Sequence, residues 1–239
     1  MKKTIGILGG MGPEATVQMY ALILKNTQAE KDQDHIQVLI YSNPKIPPRT
    51  DAILGTGPDP TDDLIHGIKL LLNGGADFII IPCITAHYFL PGIKKQIDFS
   101  YLSLIEESLK WVKTNIPNIK KAGILSSTGT LSSRIFHDHF LSEGIEVIHP
   151  EKKEQEQVMD AIFGDRGIKA GHSSGYSRNI ILTMAETLIN RGAEAVIAGC
   201  TEIPLALTAG DISVPLIEPM EITARAGIIN AGYSLSEQR

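Results

Sequence analysis

Apolar runs of membrane length are missing from this 239-residue chain. A helix needs about 20 consecutive apolar residues to cross a bilayer. The apolar stretch behind Lys2 and Lys3 stops at Gly9-Gly10, too short for the core of a secretion signal, so the sequence predicts a cytoplasmic protein with no membrane partner. Positive charge is also scarce. The 22 Lys and Arg stand against 27 Asp and Glu, a net charge of −5. A nucleic-acid binder is normally basic, so no nucleic acid is expected and small molecules are the expected partners. Metal-ligand spacing is absent: among the seven histidines, His137 and His139 lie two apart and so on different helix faces. There is no P-loop, no zinc pattern, and no lysine context that demands pyridoxal phosphate. Cysteine occurs only as Cys83 and Cys200. A cytosolic chain argues against a stable disulfide, which leaves inert buried thiols or reactive ones.

What is present is an ordinary globular composition, 43% apolar and 21% charged, which excludes a disordered chain. Strand and helix signals alternate, the mark of an α/β protein with parallel sheets. Residues 4–8, 36–41 and 78–81 read as strands, with helices over 14–28, over 61–73 capped by Thr61, and from Cys83 through Gln96. Between them, residues 43–60 hold five prolines and read as an irregular loop. The pattern then restarts, with strands over 122–125, 145–148 and 195–198. Helices are expected over 131–142, 154–163 and 176–191, and the tail from Val214 reads as strand then helix.

The restart is an internal repeat. A shift of 117 positions lays TIGILGGMGPEAT (4–16) on KAGILSSTGTLSS (121–133), and LLNGGADFIIIPC (71–83) on LINRGAEAVIAGC (188–200). Generic apolar strands account for the matched isoleucines. They do not account for the paired Asn-x-Gly-Ala or the paired cysteines. The expected architecture is therefore two pseudo-symmetric α/β lobes, each a mainly parallel sheet flanked by helices. Residues 1–100, with 217–239 packing back on them, form one lobe, and 101–216 the other. Ligands of parallel sheets bind beyond the carboxyl ends of the strands, where each cysteine falls, which predicts an active site in the interlobe cleft.

Each cysteine precedes a Thr and a helix start: Cys83-Ile84-Thr85 and Cys200-Thr201-Glu202. A thiol at a helix N-terminus ionises below its free value of about 8.5. Two such thiols suit two-base proton transfer, one taking a proton from a carbon and the other returning one on the opposite face. The turn after the first strand has a rival reading, since Gly10-x-Gly12-x-x-Ala15 fits a dinucleotide fingerprint. Glu14 at the helix start and the missing acid after Tyr41-Ser42-Asn43 count against it. Backbone N–H groups in this turn suit a substrate carboxylate.

GGMGPEAT (9–16), PCITAH (82–87) and GCTEIP (199–204) resemble the cofactor-independent aspartate/glutamate racemase family, and the resemblance runs through nearly the whole chain. It implies a PLP-independent amino-acid racemase, an isomerase with no cofactor, acting on a small acidic amino acid, aspartate or glutamate. It implies Cys83 and Cys200 as the catalytic acid/base pair, and commonly a homodimer. It places Met11 in the site wall and makes Arg49, in SNPKIPPRT with Asn43 and Thr50, a carboxylate ligand, a role suited to a bidentate guanidinium. Lys169, in GIKAG, matches a family lysine that contacts substrate, and there it would stabilise charge developing at Cα. Its segment, 164–175, has glycines at both ends and could move as a lid. Thr85, Thr128, Thr130, Thr201 and Glu202 are expected to orient the amino and carboxyl groups. One departure stands out: the family usually reads Cys-Asn-Thr where this chain has Ile84. Isoleucine cannot hold a polar group, which leaves the substrate open. Two alternatives remain. One is a superfamily isomerase or decarboxylase of a small dicarboxylate. The other is a two-lobe protein that binds an amino acid without turnover.

Overall fold

The computed structural model describes residues 2–236, and every structural statement below concerns them. They divide into two compact units: residues up to Glu107 together with those from Met220 onward, and Ser108–Pro219.

The first unit begins with β1 (Ile5–Gly9), α1 (Pro13–Asn26), β2 (Val38–Ser42), α2 (Arg49–Ile53) and α3 (Thr61–Asn73). It continues through β3 (Phe78–Ile80), α4 (Leu90–Lys94) and β4 (Tyr101–Leu102), and the division falls inside α5 (Leu104–Asn115). The second unit contains β5 (Lys121–Leu125), α6 (Thr128–Ser133), α7 (Ile135–Leu141), β6 (Glu146–Ile148), α8 (Lys152–Phe163), α9 (Tyr176–Asn190), β7 (Ala195–Ala198) and β8 (Leu216–Ile217). The last helix, α10 (Pro219–Asn230), returns to the first unit. Lys3 N–H donates to Ala231 O, and Gly227 of α10 lies against Ile80, Ile5 and Leu102 of the first sheet.

Both sheets are parallel throughout, ordered β2-β1-β3-β4 and β6-β5-β7-β8. Parallel sheets are covered on both faces, and β1, β3 and β7 are buried end to end. The 117-residue offset survives in the register: Gly6 pairs with Ile79, and Gly123 with Val196. The repeated glycines have a shared reason. A Cβ on Gly6 would come 2.7 Å from Ile79 Cδ1 and 2.9 Å from Ala76 Cβ. One on Gly123 would come 2.9 Å from Leu188 Cβ and 3.2 Å from Ala193 Cβ. The glycine lets α3 or α9 lie close on its sheet. The repeated Asn-x-Gly-Ala ends those helices, with Gly75 (φ 97°) and Gly192 (φ 91°) in the left-handed region that favours glycine. Ala76 N–H then donates to Leu71 O, and Ala193 N–H to Leu188 O.

Four local expectations change. Thr61 is the first residue of α3 rather than its cap; Asp59, two residues earlier, accepts from the Thr61 N–H at 2.8 Å instead. The helix expected from Cys83 is a 3-10 turn over Thr85–Tyr88 followed by α4, which carries Pro91 in its first turn. The proline-rich loop holds α2, which starts at Arg49. The helix expected over 131–142 starts earlier and breaks at Arg134, whose φ of 55° separates α6 from α7.

Candidate active site

In the first unit, the turn after β1 is closed by its own side chains. Gly10 N–H donates to Thr16 Oγ1 at 2.8 Å, and a Cβ on Gly9 would lie 2.2 Å from that oxygen. The Gly10 amide is therefore taken, which counts against both the dinucleotide cradle and this N–H as an anion donor. Met11, buried, offers its carbonyl to Arg49 Nη2 at 3.2 Å. Arg49 also donates to Ile46 O and Pro47 O, which ties the loop to the turn. Its Nε is buried and has no partner. Asn43 folds over its own loop, with Oδ1 accepting from Lys45 N–H at 3.0 Å, and Thr50 lies within α2.

Cys83 follows β3 and is buried, its Sγ 3.4 Å from Thr85 Oγ1. Ile84 beside it is also buried. His87 sits below this segment rather than against the thiol. Its Nε2 accepts from Leu104 N–H at 3.2 Å, which leaves Nδ1 as the protonated nitrogen, donating to Cys83 O at 2.9 Å. The imidazole thus fixes the Cys83 backbone.

In the second unit, Cys200 follows β7 and donates from Sγ to Glu202 Oε2 at 3.0 Å. Thr201 Oγ1 donates to the same oxygen at 3.1 Å, and Lys169 forms an ion pair with Oε1. Glu202 is only 2% exposed, so the ammonium compensates a charge that would otherwise be costly to bury. The segment carrying Lys169 is pinned as well: Arg166 stacks over the Tyr176 ring, and Ser177 Oγ donates to Arg166 O. At the end of β5, Ser127 caps α6 by accepting from Thr130 N–H, and Thr128 N–H points at Met159 Sδ. Those two amides are therefore engaged.

The expectation of easily ionised thiols fails for Cys200. Burial first, and the Glu202 carboxylate second, push its thiol well above the ordinary range, while Lys169 pulls it down by less. Neither cysteine caps an α-helix: the turns that follow are Thr85–Tyr88 and Ile203–Leu205, too short to supply a helix dipole.

Gln155 was not singled out by the sequence. It is buried on α8, donates from Nε2 to Ser126 O at 2.9 Å, and keeps an unpartnered buried Oε1. The signal was its place on the buried face with Val158, Ala161 and Ile162, three, six and seven residues on.

Two parallel sheets of one strand order, each with a cysteine directly beyond an equivalent strand, define a duplicated α/β enzyme class. Residues 8–227 match the model of the Asp/Glu/Hydantoin racemase family. The chain belongs to that family and is a racemase. The broad specificity amino-acid racemase RacX of Bacillus subtilis (strain 168) is 28% identical over 233 residues, spanning 94% of this chain and 96% of the relative. Picrophilus torridus aspartate racemase superposes with a TM-score of 0.85 at 30% identity, over 98% of this chain and 96% of that one. Glutamate racemase from Francisella tularensis, solved with D-glutamate, shares the fold with a TM-score of 0.70 at 15% identity, over 99% of this chain and 85% of that one. Among the described residues, no helix is long and apolar enough to cross a membrane.

Proposed function

We propose that this chain interconverts the enantiomers of a small acidic amino acid, aspartate or glutamate, with no cofactor, by proton transfer between Cys83 and Cys200. The observation that carries the reading is the duplication: each cysteine directly follows the third strand of its unit, at a shared offset of 117 residues. A duplicated thiol gives the reaction what it needs, a base for one enantiomer and a base for the other.

The Cα proton is weakly acidic, so its removal requires charge stabilisation in a site that excludes water. Arg49, with its unmatched buried Nε, is the carboxylate ligand contributed by the first unit. Lys169 serves a carboxylate while it stays paired with Glu202. Asn43, Thr50, Thr85, Thr128, Thr130 and Thr201 orient the amino and carboxyl groups, and Met11 and Ile84 supply apolar wall. Ile84 in place of a polar residue, together with a relative named for broad specificity, makes a substrate panel part of the test.

Purified protein freed of pyridoxal phosphate is incubated in D₂O with L-aspartate, L-glutamate and neutral amino acids. The expected product is the D-isomer carrying deuterium at Cα. Cys83→Ser and Cys200→Ser each lower the rate by about 10²–10⁴-fold, the usual worth of a positioned acid or base. Full activity in either variant would end the two-thiol mechanism, and turnover of neutral substrates alone would end the acidic assignment.

A further inference from the structure

The two thiols have unlike neighbours. Cys83 Sγ lies beside a neutral hydroxyl, that of Thr85 at 3.4 Å. Cys200 Sγ lies 3.0 Å from a buried carboxylate oxygen. An ionised carboxylate only accepts hydrogen bonds, so this contact keeps a proton on the sulfur. Cys200 itself is half-buried, and ionising it would set a second negative charge 3.0 Å from the buried Glu202 carboxylate. The charged groups facing Cys200 are Glu202, two residues on, and Lys169 from the 3-10 turn Ile168–Ala170. The Lys169 ammonium is directed at the other oxygen of Glu202, so it steadies the carboxylate more than it would steady a thiolate.

Resting on the two-thiol reading above, we propose that Glu202 sets the order of roles: the free enzyme holds Cys200 as the acid and Cys83 as the base, with Lys169 positioning the Glu202 carboxylate. In that state the Cys83 thiolate takes the Cα proton, forming an S–H bond, and the C–H electron pair stays on carbon. The S–H bond of Cys200 then breaks, its proton goes to the opposite face of that carbon, and its electron pair stays on sulfur. Cys83 ends protonated and Cys200 ends as a thiolate beside Glu202. That product form is the less favourable of the two; loss of the proton from Cys83 together with return of one to Cys200 restores the resting enzyme. Glu202 is a positioning residue in this scheme, since it acts on the substrate only through the thiol.

The experiment is alkylation with iodoacetamide across pH, each cysteine followed separately by peptide mass. The pH midpoint, unlike the rate, does not depend on how easily reagent reaches each thiol. In the wild type, Cys200 is expected to titrate at least one pH unit above Cys83, about a tenfold difference in thiolate at a given pH. In Glu202→Gln its midpoint falls by about one unit or more, that of Cys83 stays in place, and the alkaline limb of kcat/KM moves the same way. Coincident wild-type midpoints, or a Cys200 midpoint unmoved in Glu202→Gln, would overturn the proposal. Should Glu202→Gln fail to fold, the wild-type midpoints decide. Alkylation needs no turnover, so the two readings fail separately. Racemisation with coincident midpoints removes only the role assignment, whereas ordered midpoints without racemisation remove the two-thiol reading and the assignment with it.

Discussion

His87 shows how a buried polar residue can serve a site it does not enter. Its ring joins Leu104 N–H to Cys83 O, and it is 3% exposed. In His87→Phe both backbone groups lose that partner in the interior, at about 1–3 kcal/mol each. Urea denaturation should show a loss of roughly 2–6 kcal/mol, and racemisation should slow because the Cys83 backbone is no longer fixed. At this scale the sequence was read unevenly. The repeat and the family resemblance singled out the cysteines, Arg49 and Lys169, the residues the proposed mechanism uses. The grip of Glu202 on Cys200 was not, because it depends on side-chain direction across a bend and on a turn folded from residues 168–170. Local spacing suggested a thiol eased by a helix start, but only a 3-10 turn follows Cys200, and burial first and the carboxylate two positions on second push the thiol the other way.

The close approach of α3 and α9 to their sheets makes a prediction about elements. Ala at position 6 would meet Ala76 Cβ at 2.9 Å, and Ala at position 123 would meet Leu188 Cβ at 2.9 Å. Neither atom can swing aside as the tip of a long side chain can. Each of Gly6→Ala and Gly123→Ala should cost about 1–3 kcal/mol by overpacking, read from thermal or urea unfolding, and near-equal losses would mark the two contacts as equivalent. Elements with strong periodicity or duplicated end signals, such as α3, α9, β3 and β7, were legible. The break at Arg134 was not, since LSSRIFHDHF holds neither glycine nor proline. A non-glycine residue at φ 55° is a choice made by tertiary packing rather than by propensity.

Over the whole molecule, the second unit is continuous in sequence, whereas the first is completed by α10. A Cβ on Gly227 would come 2.9 Å from Ile80 Cδ1, so the glycine lets that helix lie close on the sheet. Removing α10 uncovers apolar side chains of β1, β3 and β4 that the parallel sheet must keep from water. A chain ending at Glu218 should lose hydrogen-exchange protection across β1 and β3 while β5 and β7 keep theirs. Equal protection in both sheets would show that α10 is dispensable. The alternation of strand and helix made the parallel α/β class legible at this scale. The strand order did not follow from it, because two-residue strands such as β4 and β8 are placed by their neighbours and carry almost no pattern of their own.

A ribosome makes β1 through β4 well before α10. The 116 residues between Leu102 and Pro219 take about 6–23 s to synthesise at 5–20 residues per second. During that interval the nascent front half carries a bare sheet face. The cover of the first sheet therefore waits until the whole second unit has been made, and that bare face is where a chaperone would find its grip.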